Sequence, residues 1–457
     1  MNIVIYGAGY VGLTTGTAFA FLGHKVTCID VDQVKIACLL GGKTPIYEPG
    51  LEELIALSRE NLDFTSKPEQ ALAEADVIFI AVGTPPQENG EPNLAFLKEA
   101  ARSIGQCTQD KFKVIVNKST VPIGSGHWVH SLVAEGLQSK GEANFSVASN
   151  PEFLREGSAI GDILYPDRVV IGTEDARART TLEVLYAPIL KQSFEAPDFL
   201  PRPAGLNAVP LIATDRTSAE LIKYASNAFL CTKISFINEI GRLAEKVGAD
   251  VLAISKGMGL DSRIGTQFLS PGLGWGGSCF GKDSAALVAT AHDYGLEMSI
   301  VQAARKVNYQ IREQAVWRLL EELKILKGRR IGLLGLAFKP NTDDLRDAPG
   351  IDIALKLIAR GATVQAHDPI ALDRAASQHG SAGIRFCSTP SAAAEDADAL
   401  VLVTDWDLYK DLDWTSIASK MRNPLLLDGR NFLDAEKLLE SGLKRVTLCG
   451  DSPIFLL

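Results

Sequence analysis

The chain has 457 residues, 46% hydrophobic and 22% charged, the balance of an ordinary globular protein of two or three domains. Its net charge of −9 argues against a general nucleic-acid binder, so an anionic ligand must be met by local lysines, arginines and helix N-termini. Seven scattered cysteines (Cys28, Cys38, Cys107, Cys231, Cys279, Cys387 and Cys449) and six histidines show neither disulfide nor zinc spacing, which points to a reducing cytoplasm and no structural metal. No apolar run approaches the ~20 residues needed to cross a bilayer. The chain enters a strand within its first residues, so neither a signal peptide nor membrane insertion is expected.

In chain order, the apolar run Ile3 to Tyr6 predicts a strand, Gly7-Ala8-Gly9-Tyr10-Val11-Gly12 a tight turn, and Leu13 to Leu22 a helix. Lys25 to Asp30 is then a second strand that ends in an acid. Ala75 to Pro85 reads as a buried parallel strand running into a loop, and Lys113 to Thr120 repeats that design. Pro197 to Pro210 holds four prolines and a glycine and predicts an extended surface loop. From Ser218 to about Lys246 apolar residues recur every three or four positions, through Leu221, Ala225, Ala228, Phe229 and Ile237, which predicts a long helix. Ala285 to Leu323 continues as helix, broken near Gly295. After residue 328 strands return at Arg330–Leu336, Ala362–Pro369 and Ala397–Asp405.

The expected fold class is therefore α/β, with two doubly wound Rossmann-like domains joined by a central helical region that contains a long connecting helix. The expected limits are 1–213 for a dinucleotide-binding domain, 214–325 for the helical region and 326–457 for a second Rossmann-like domain. The long helix is either a dimer interface or simple packing between domains.

Five groups of residues carry candidate chemistry. Gly7, Gly9 and Gly12 fit G-x-G-x-x-G in a strand–turn–helix setting, where a pyrophosphate meets a helix N-terminus. Asp30, 18 residues past Gly12, is placed to accept from a ribose 2′-hydroxyl and to repel a 2′-phosphate, which favours NAD over NADP. Lys35 would add a contact at the adenosine end. The run Gly274 to Asp283 puts Cys279 behind glycines at a helix start, where the helix dipole favours thiolate, with Asp283 one turn on. A buried inert thiol is the competing reading, and the other six cysteines sit in strand or helix patterns expected to be core. Lys223 and Asn227 share one helix face, as a site pair or as surface residues. Asn150 to Gly157 supplies Glu152 and Glu156 at a strand's C-terminal end, or else a capped helix start. Beyond the second domain's first strand, Lys339 and Arg346 could meet phosphates or belong to a solvated loop.

Together these segments resemble the UDP-glucose 6-dehydrogenase family of nucleotide-sugar dehydrogenases over nearly the whole chain. The motifs that carry the likeness are GAGYVG, Pro45 to Leu51 (PIYEPGL), Val82 to Pro85, NPEFLREG, GWGGSCFGKD, FKPNTDDLR and Asp428 to Asn431. The resemblance implies a four-electron oxidation of UDP-glucose to UDP-glucuronate by NAD, in which Cys279 carries a thiohemiacetal and then a thioester. It implies that Lys223 and Asp283, helped by Asn227, handle protons and stabilise the oxyanion, and that Glu152 and Thr120 serve the water or its proton. It assigns Tyr10, Val11, Thr84, Thr120, Glu156, Lys282 and Arg346 to NAD. To the substrate it assigns Glu152, Phe153, Leu154, Arg155, Lys223, Asn227, Phe268, Leu269, Ser270, Pro271, Gly272, Gly276, Lys339 and Arg430. Arg263 corresponds to an arginine lent across a homodimer. The proline-rich stretch near 195–210 is longer than the family's usual connection.

Overall fold

A computed structural model describes residues 1–85, 87, 92–108, 111–137 and 144–449. These form two compact units, one of Met1–Ala225 with Ala285–Asp293, the other of Ser226–Ser284 with Tyr294–Leu457.

In the first unit the strands are β1 (Asn2–Tyr6), β2 (Lys25–Ile29), β3 (Leu62–Thr65), β4 (Val77–Ile80), β5 (Lys113–Asn117), β6 (Phe145–Ser149), β7 (Val169–Gly172) and β8 (Leu211–Thr214). They lie in the order β3-β2-β1-β4-β5-β6-β7-β8. Pairing is parallel from β3 to β6, and β7 joins β6 in antiparallel sense through a single register pair, Ser149 with Gly172. β8 runs parallel to β7 over four residues. Because side chains alternate across a strand, Ile3 and Ile5 enter one buried cluster and Val4 and Tyr6 another, so both faces of the sheet are covered. That double burial explains why these strands read as continuous apolar runs.

The second unit holds β9 (Arg330–Leu334), β10 (Thr363–His367), β11 (Ile384–Phe386), β12 (Ala399–Leu402), β13 (Leu425–Asp428) and β14 (Lys444–Thr447). They form an all-parallel sheet ordered β11-β10-β9-β12-β13-β14. This is the 3-2-1-4-5-6 order of a doubly wound dinucleotide fold, as the sequence predicts.

The long helix runs Arg216–Val247 and supplies residues to both units. The next predicted helix is two, Phe280–Asp293 and Ser299–Leu323, separated at Gly295, whose φ is +71°. The apolar spacing misleads within the long helix. Leu221, Ala225 and Phe229 are exposed, whereas Ala228 and Ile237 are buried. The proline-rich segment has no helix or strand between Leu190 and Leu211, but it is tied down along its length. Leu200 accepts from the Tyr165 hydroxyl at 2.9 Å, Arg202 donates to Gln192 and to the Phe194 carbonyl, and Val209 is buried. No helix among the described residues is long and apolar enough to cross a membrane.

Candidate active site

In the first unit the helix Tyr10–Phe21 begins earlier than the sequence suggests, inside the glycine fingerprint. Gly7 has φ +107°, and a Cβ there would stand 2.6 Å from the Ala81 carbonyl oxygen; one on Gly12 would stand 1.8 Å from that of Gly7. Only glycine allows this turn. A Cβ on Gly9, by contrast, would meet nothing within 4 Å, so the helix N-terminus faces open space. Asp30 lies one residue beyond β2. Its carboxylate accepts from Ala8 N at 2.9 Å, Asp32 N at 3.0 Å and Lys35 Nζ at 2.7 Å. Lys35 is thus held by Asp30. A bare helix N-terminus beside a fixed acid fits a dinucleotide with a free ribose 2′-hydroxyl. Tyr10 and Val11 form the first turn of that helix. Thr84 donates to the Thr120 carbonyl at 2.8 Å, joining the ends of the two loops that follow β4 and β5.

Beyond β6 the NPEFLREG segment is a loop, and the helix it leads to is Ala159–Leu164. Glu152 accepts from Leu154 N at 2.8 Å and pairs with Lys223 Nζ at 3.0 Å, their side chains 5% and 6% exposed. Burial would raise the Glu152 carboxyl, but the Lys223 charge and hydrogen bond, with Lys118 behind them, hold it below the usual carboxylate range. Glu152, Lys223 and Thr120 line one cavity of about 20 Å³. Phe153 lies under Arg168, whose Cζ is 3.7 Å from the ring centroid. Arg155 turns away to Asp162, which accepts from its Nη2 at 2.6 Å, and remains exposed, while Glu156 is half-buried.

Lys118 and Glu220 also line this cavity, and neither belongs to the motifs. Lys118 Nζ donates to Asn150 Oδ1 at 3.1 Å; burial pushes its ammonium down to about 8, with Glu152 opposing and Lys223 adding to the fall. The Glu220 carboxylate, one turn ahead of Lys223, accepts from Gly124 N, Gly126 N and Ser149 Oγ at 2.6, 2.9 and 2.9 Å. It fastens the start of the long helix to the sheet. A lysine at the end of an apolar strand is a sequence signal for Lys118. For Glu220 there is none, since its partners lie 71 to 96 residues away.

In the second unit Cys279 directly precedes the helix Phe280–Asp293, and its carbonyl accepts the first helical hydrogen bond, from Asp283 N at 2.8 Å. The thiol is half-exposed and lies 3.6 Å from Ser278 Oγ. Asp283 is fully buried; its Oδ2 accepts from Asn227 Nδ2 at 2.7 Å, and Lys282 Nζ lies 3.8 Å from its Oδ1. Cys231 is buried nearby, its thiol pushed up by burial and then by the charge of Asp283. Of the six cysteines expected in the core, Cys38 and Cys107 are half-buried, and Cys387 and Cys449 lie outside regular elements but are buried.

The loop ahead of Cys279 is pinned along its length. Phe268 has φ +63°, Leu269 and Pro271 are buried, Ser270 is exposed, and Gly272 N donates to Asn238 at 2.8 Å. Trp275 N donates to Asn308 Oδ1 at 2.8 Å, and its carbonyl accepts from Arg312 at 2.6 Å. A Cβ on Gly276 would stand 2.3 Å from the Asp347 carbonyl oxygen. Arg430 donates to the carbonyls of Val403 at 2.7 Å and Gly274 at 3.0 Å. Its guanidinium is buried, which lowers its proton affinity. Lys339 is half-buried, 5.7 Å from the Phe338 ring centroid. Arg346 is gripped by Asp344, with Nε to Oδ1 and Nη2 to Oδ2 both at 2.8 Å. Arg263 is largely exposed, on a turn beside Asp261.

The structure thus brings Lys223, Glu152 and Thr120 together in one unit, and Cys279, Asp283, Asn227 and Lys282 in the other. The first set supplies a buried cation–carboxylate pair for proton handling. The second supplies a thiol at a helix N-terminus with an acid in the first turn.

Comparison with known proteins shows the family to which the chain belongs. Residues 1–190 match the NAD binding domain of the UDP-glucose/GDP-mannose dehydrogenase family, 217–310 its central domain and 332–435 its UDP binding domain. UDP-glucose 6-dehydrogenase TuaD of Bacillus subtilis is 44% identical, covering 96% of this chain and 91% of its own. UDP-glucose 6-dehydrogenase of Rhizobium meliloti is 43% identical, covering 98% and 99%. The solved structure of a UDP-glucose dehydrogenase from Pyrobaculum islandicum superposes with a TM-score of 0.87 at 39% identity, covering 98% of each chain. The chain belongs to the UDP-glucose/GDP-mannose dehydrogenase family and is an NAD-dependent dehydrogenase.

Proposed function

We propose that this enzyme oxidises UDP-glucose to UDP-glucuronate in two steps, with Cys279 as the covalent anchor between them. The reading is supported by the position of Cys279 immediately ahead of a helix, with the buried Asn227–Asp283 pair beside that helix's first turn. The relatives named for UDP-glucose and the match to a UDP binding domain support the substrate.

NAD⁺, when bound, supplies the hydride acceptor for both oxidations and would be held by the Gly7–Gly12 turn and Asp30. As hydride leaves C6, the proton of the C6 hydroxyl passes to Asp283, while Lys223, paired with Glu152, stabilises the oxygen as the aldehyde forms. The Cys279 thiolate then adds to the aldehyde carbon: a carbon–sulfur bond forms and the carbonyl oxygen takes a proton. Lys223 and Asn227 donate to that oxygen, and Asp283 handles its proton. Loss of hydride from C6 leaves a thioester. Water, held by Thr120, adds to it and gives its proton to Glu152, and the carbon–sulfur bond breaks to give the carboxylate and free Cys279. UDP-glucose with excess NAD⁺ is expected to give two NADH and one uronate per sugar. One NADH with a free aldehyde would refute the covalent route, and rapid turnover of GDP-mannose or UDP-N-acetylmannosamine beside negligible turnover of UDP-glucose would refute the substrate.

We further propose a homodimer built on the central helices. Along Arg216–Val247 the side chains of Phe229, Phe236, Leu243 and Val247 stay exposed, Phe229 by 65%, at spacings of seven, seven and four. Such a stripe at heptad spacing suits a second copy of the same helix. Light scattering should give twice the chain mass of 49.1 kDa; a particle of single-chain mass at assay concentration would overturn it.

A further inference from the structure

The segment Pro45 to Leu51 carries part of the family likeness, yet none of the roles above uses it. At its centre Glu48 is buried, and its carboxylate gathers three donors from two distant places. Oε2 accepts from the Tyr10 hydroxyl and from Gly157 N, the latter at 2.6 Å, and Oε1 accepts from Ala159 N at 2.7 Å. Gly157 N also lies 2.9 Å from Tyr10 Oη, so the phenol accepts from the loop while donating to the acid.

Tyr10 is the first residue of the dinucleotide helix, and Gly157 closes the loop that holds Glu152 and Glu156. Gly157 has φ +81°, so the loop ends in a turn for which a non-glycine residue would be strained. Ala159 N is a first-turn amide with no partner inside its own helix, and Glu48 satisfies it. The other side of the Glu48 segment is also fixed. Gly50 has φ +80°, and a Cβ there would stand 2.7 Å from Phe199 Cε2, so the proline-rich stretch packs directly against the turn that follows Glu48.

We infer that Glu48 is a positioning residue that locks the Glu152–Glu156 loop to the cofactor-binding turn, with the proline-rich segment as its backing. A charged acceptor suits the place, because a carboxylate takes all three donors whereas a carboxamide would turn an N–H₂ towards backbone N–H groups. Displacing such a loop by about an ångström costs roughly 100-fold in rate. Glu48 acts through Glu152, so the inference rests on the role proposed for that residue.

The test is a double-mutant cycle on the full-length enzyme, with kcat and both KM values normalised to folded protein. Glu48→Gln should lower kcat at least tenfold and raise the KM for NAD⁺ several-fold. Added to Glu152→Gln it should cause little further loss in kcat, since residues acting as a unit are non-additive. Tyr10→Phe, which removes a single donor, should shift both parameters the same way by less, and it keeps the test informative if Glu48→Gln folds poorly. A kcat and KM within twofold of wild type for Glu48→Gln and Tyr10→Phe, or full additivity with Glu152→Gln, would overturn the inference. If Glu152→Gln alone turns over normally, the proposed role of the loop fails first and the inference falls with it.

Discussion

Cys279→Ser is expected to cut uronate formation by at least about 10³-fold while NAD⁺ binding stays within about twofold. A serine hydroxyl at this position is too weakly acidic to supply an anion, and the hydrogen bond from Asp283 N to the residue 279 carbonyl is a backbone feature that the change leaves in place. The helix therefore starts as before and only the nucleophile is lost. The first oxidation does not need the sulfur, so the variant should release at most one NADH per sugar and stall at the aldehyde level. Mass spectrometry of the wild-type protein quenched during turnover should show the sugar nucleotide joined to Cys279. Near-normal uronate production by Cys279→Ser would remove the cysteine from the mechanism.

The second large effect concerns Lys223. Lys223→Met leaves the Glu152 carboxylate buried without its 3.0 Å partner, and breaking a pair of this kind costs about 3 kcal/mol or more. Lys118 also interacts with Glu152, but its hydrogen bond goes to Asn150, so it compensates only in part. Glu152→Gln in the same chain removes the stranded charge and should recover most of the thermal midpoint. It should not recover activity, because both proton-handling groups are then gone, and kcat should stay at least about 100-fold down. This split separates a stabilising role from a chemical one. An unchanged midpoint for Lys223→Met would mean that the pair contributes nothing to stability, and substantial turnover by the double variant would dismiss both residues from the chemistry.

Much of the fold was legible because its strands are buried on both faces and therefore appear as short unbroken apolar runs between glycines. The GAGYVG turn, Asp30 beyond β2, and the Lys223/Asn227 spacing could all be read locally. Spacing failed on the long helix. Leu221, Ala225 and Phe229 form the regular apolar series, yet they point outwards, while Lys223, Asn227 and Asn238 are buried. An apolar stripe marks a face that avoids water, but it does not say whether the cover comes from the same chain, and a site helix buries polar side chains that the stripe omits. Glu220 and Glu48 escape the sequence reading for a different reason, since each takes its meaning from partners tens of residues away and no local window contains the signal, whereas Lys118 carries a local one in its place at the end of an apolar strand. Lys35 and Arg346 show the converse. The sequence offers Lys35 to the adenosine end of the cofactor and Arg346 to phosphates, and each is engaged by an acid two to five residues away in sequence.

The pairing of β8 with β7 has a practical consequence for dividing the molecule. A dinucleotide-binding fragment cut at residue 190, where the family's NAD binding domain match stops, would lose β8 and leave β7 (Val-Val-Ile-Gly, buried throughout) as a bare edge. It would also lose Glu220 and leave the amides of Gly124 and Gly126 without their acceptor. An apolar unpaired edge of this kind templates intermolecular strand addition. A soluble fragment should therefore extend at least past Glu220, and poor solubility of shorter versions would reflect their boundary and not the strength of the fold.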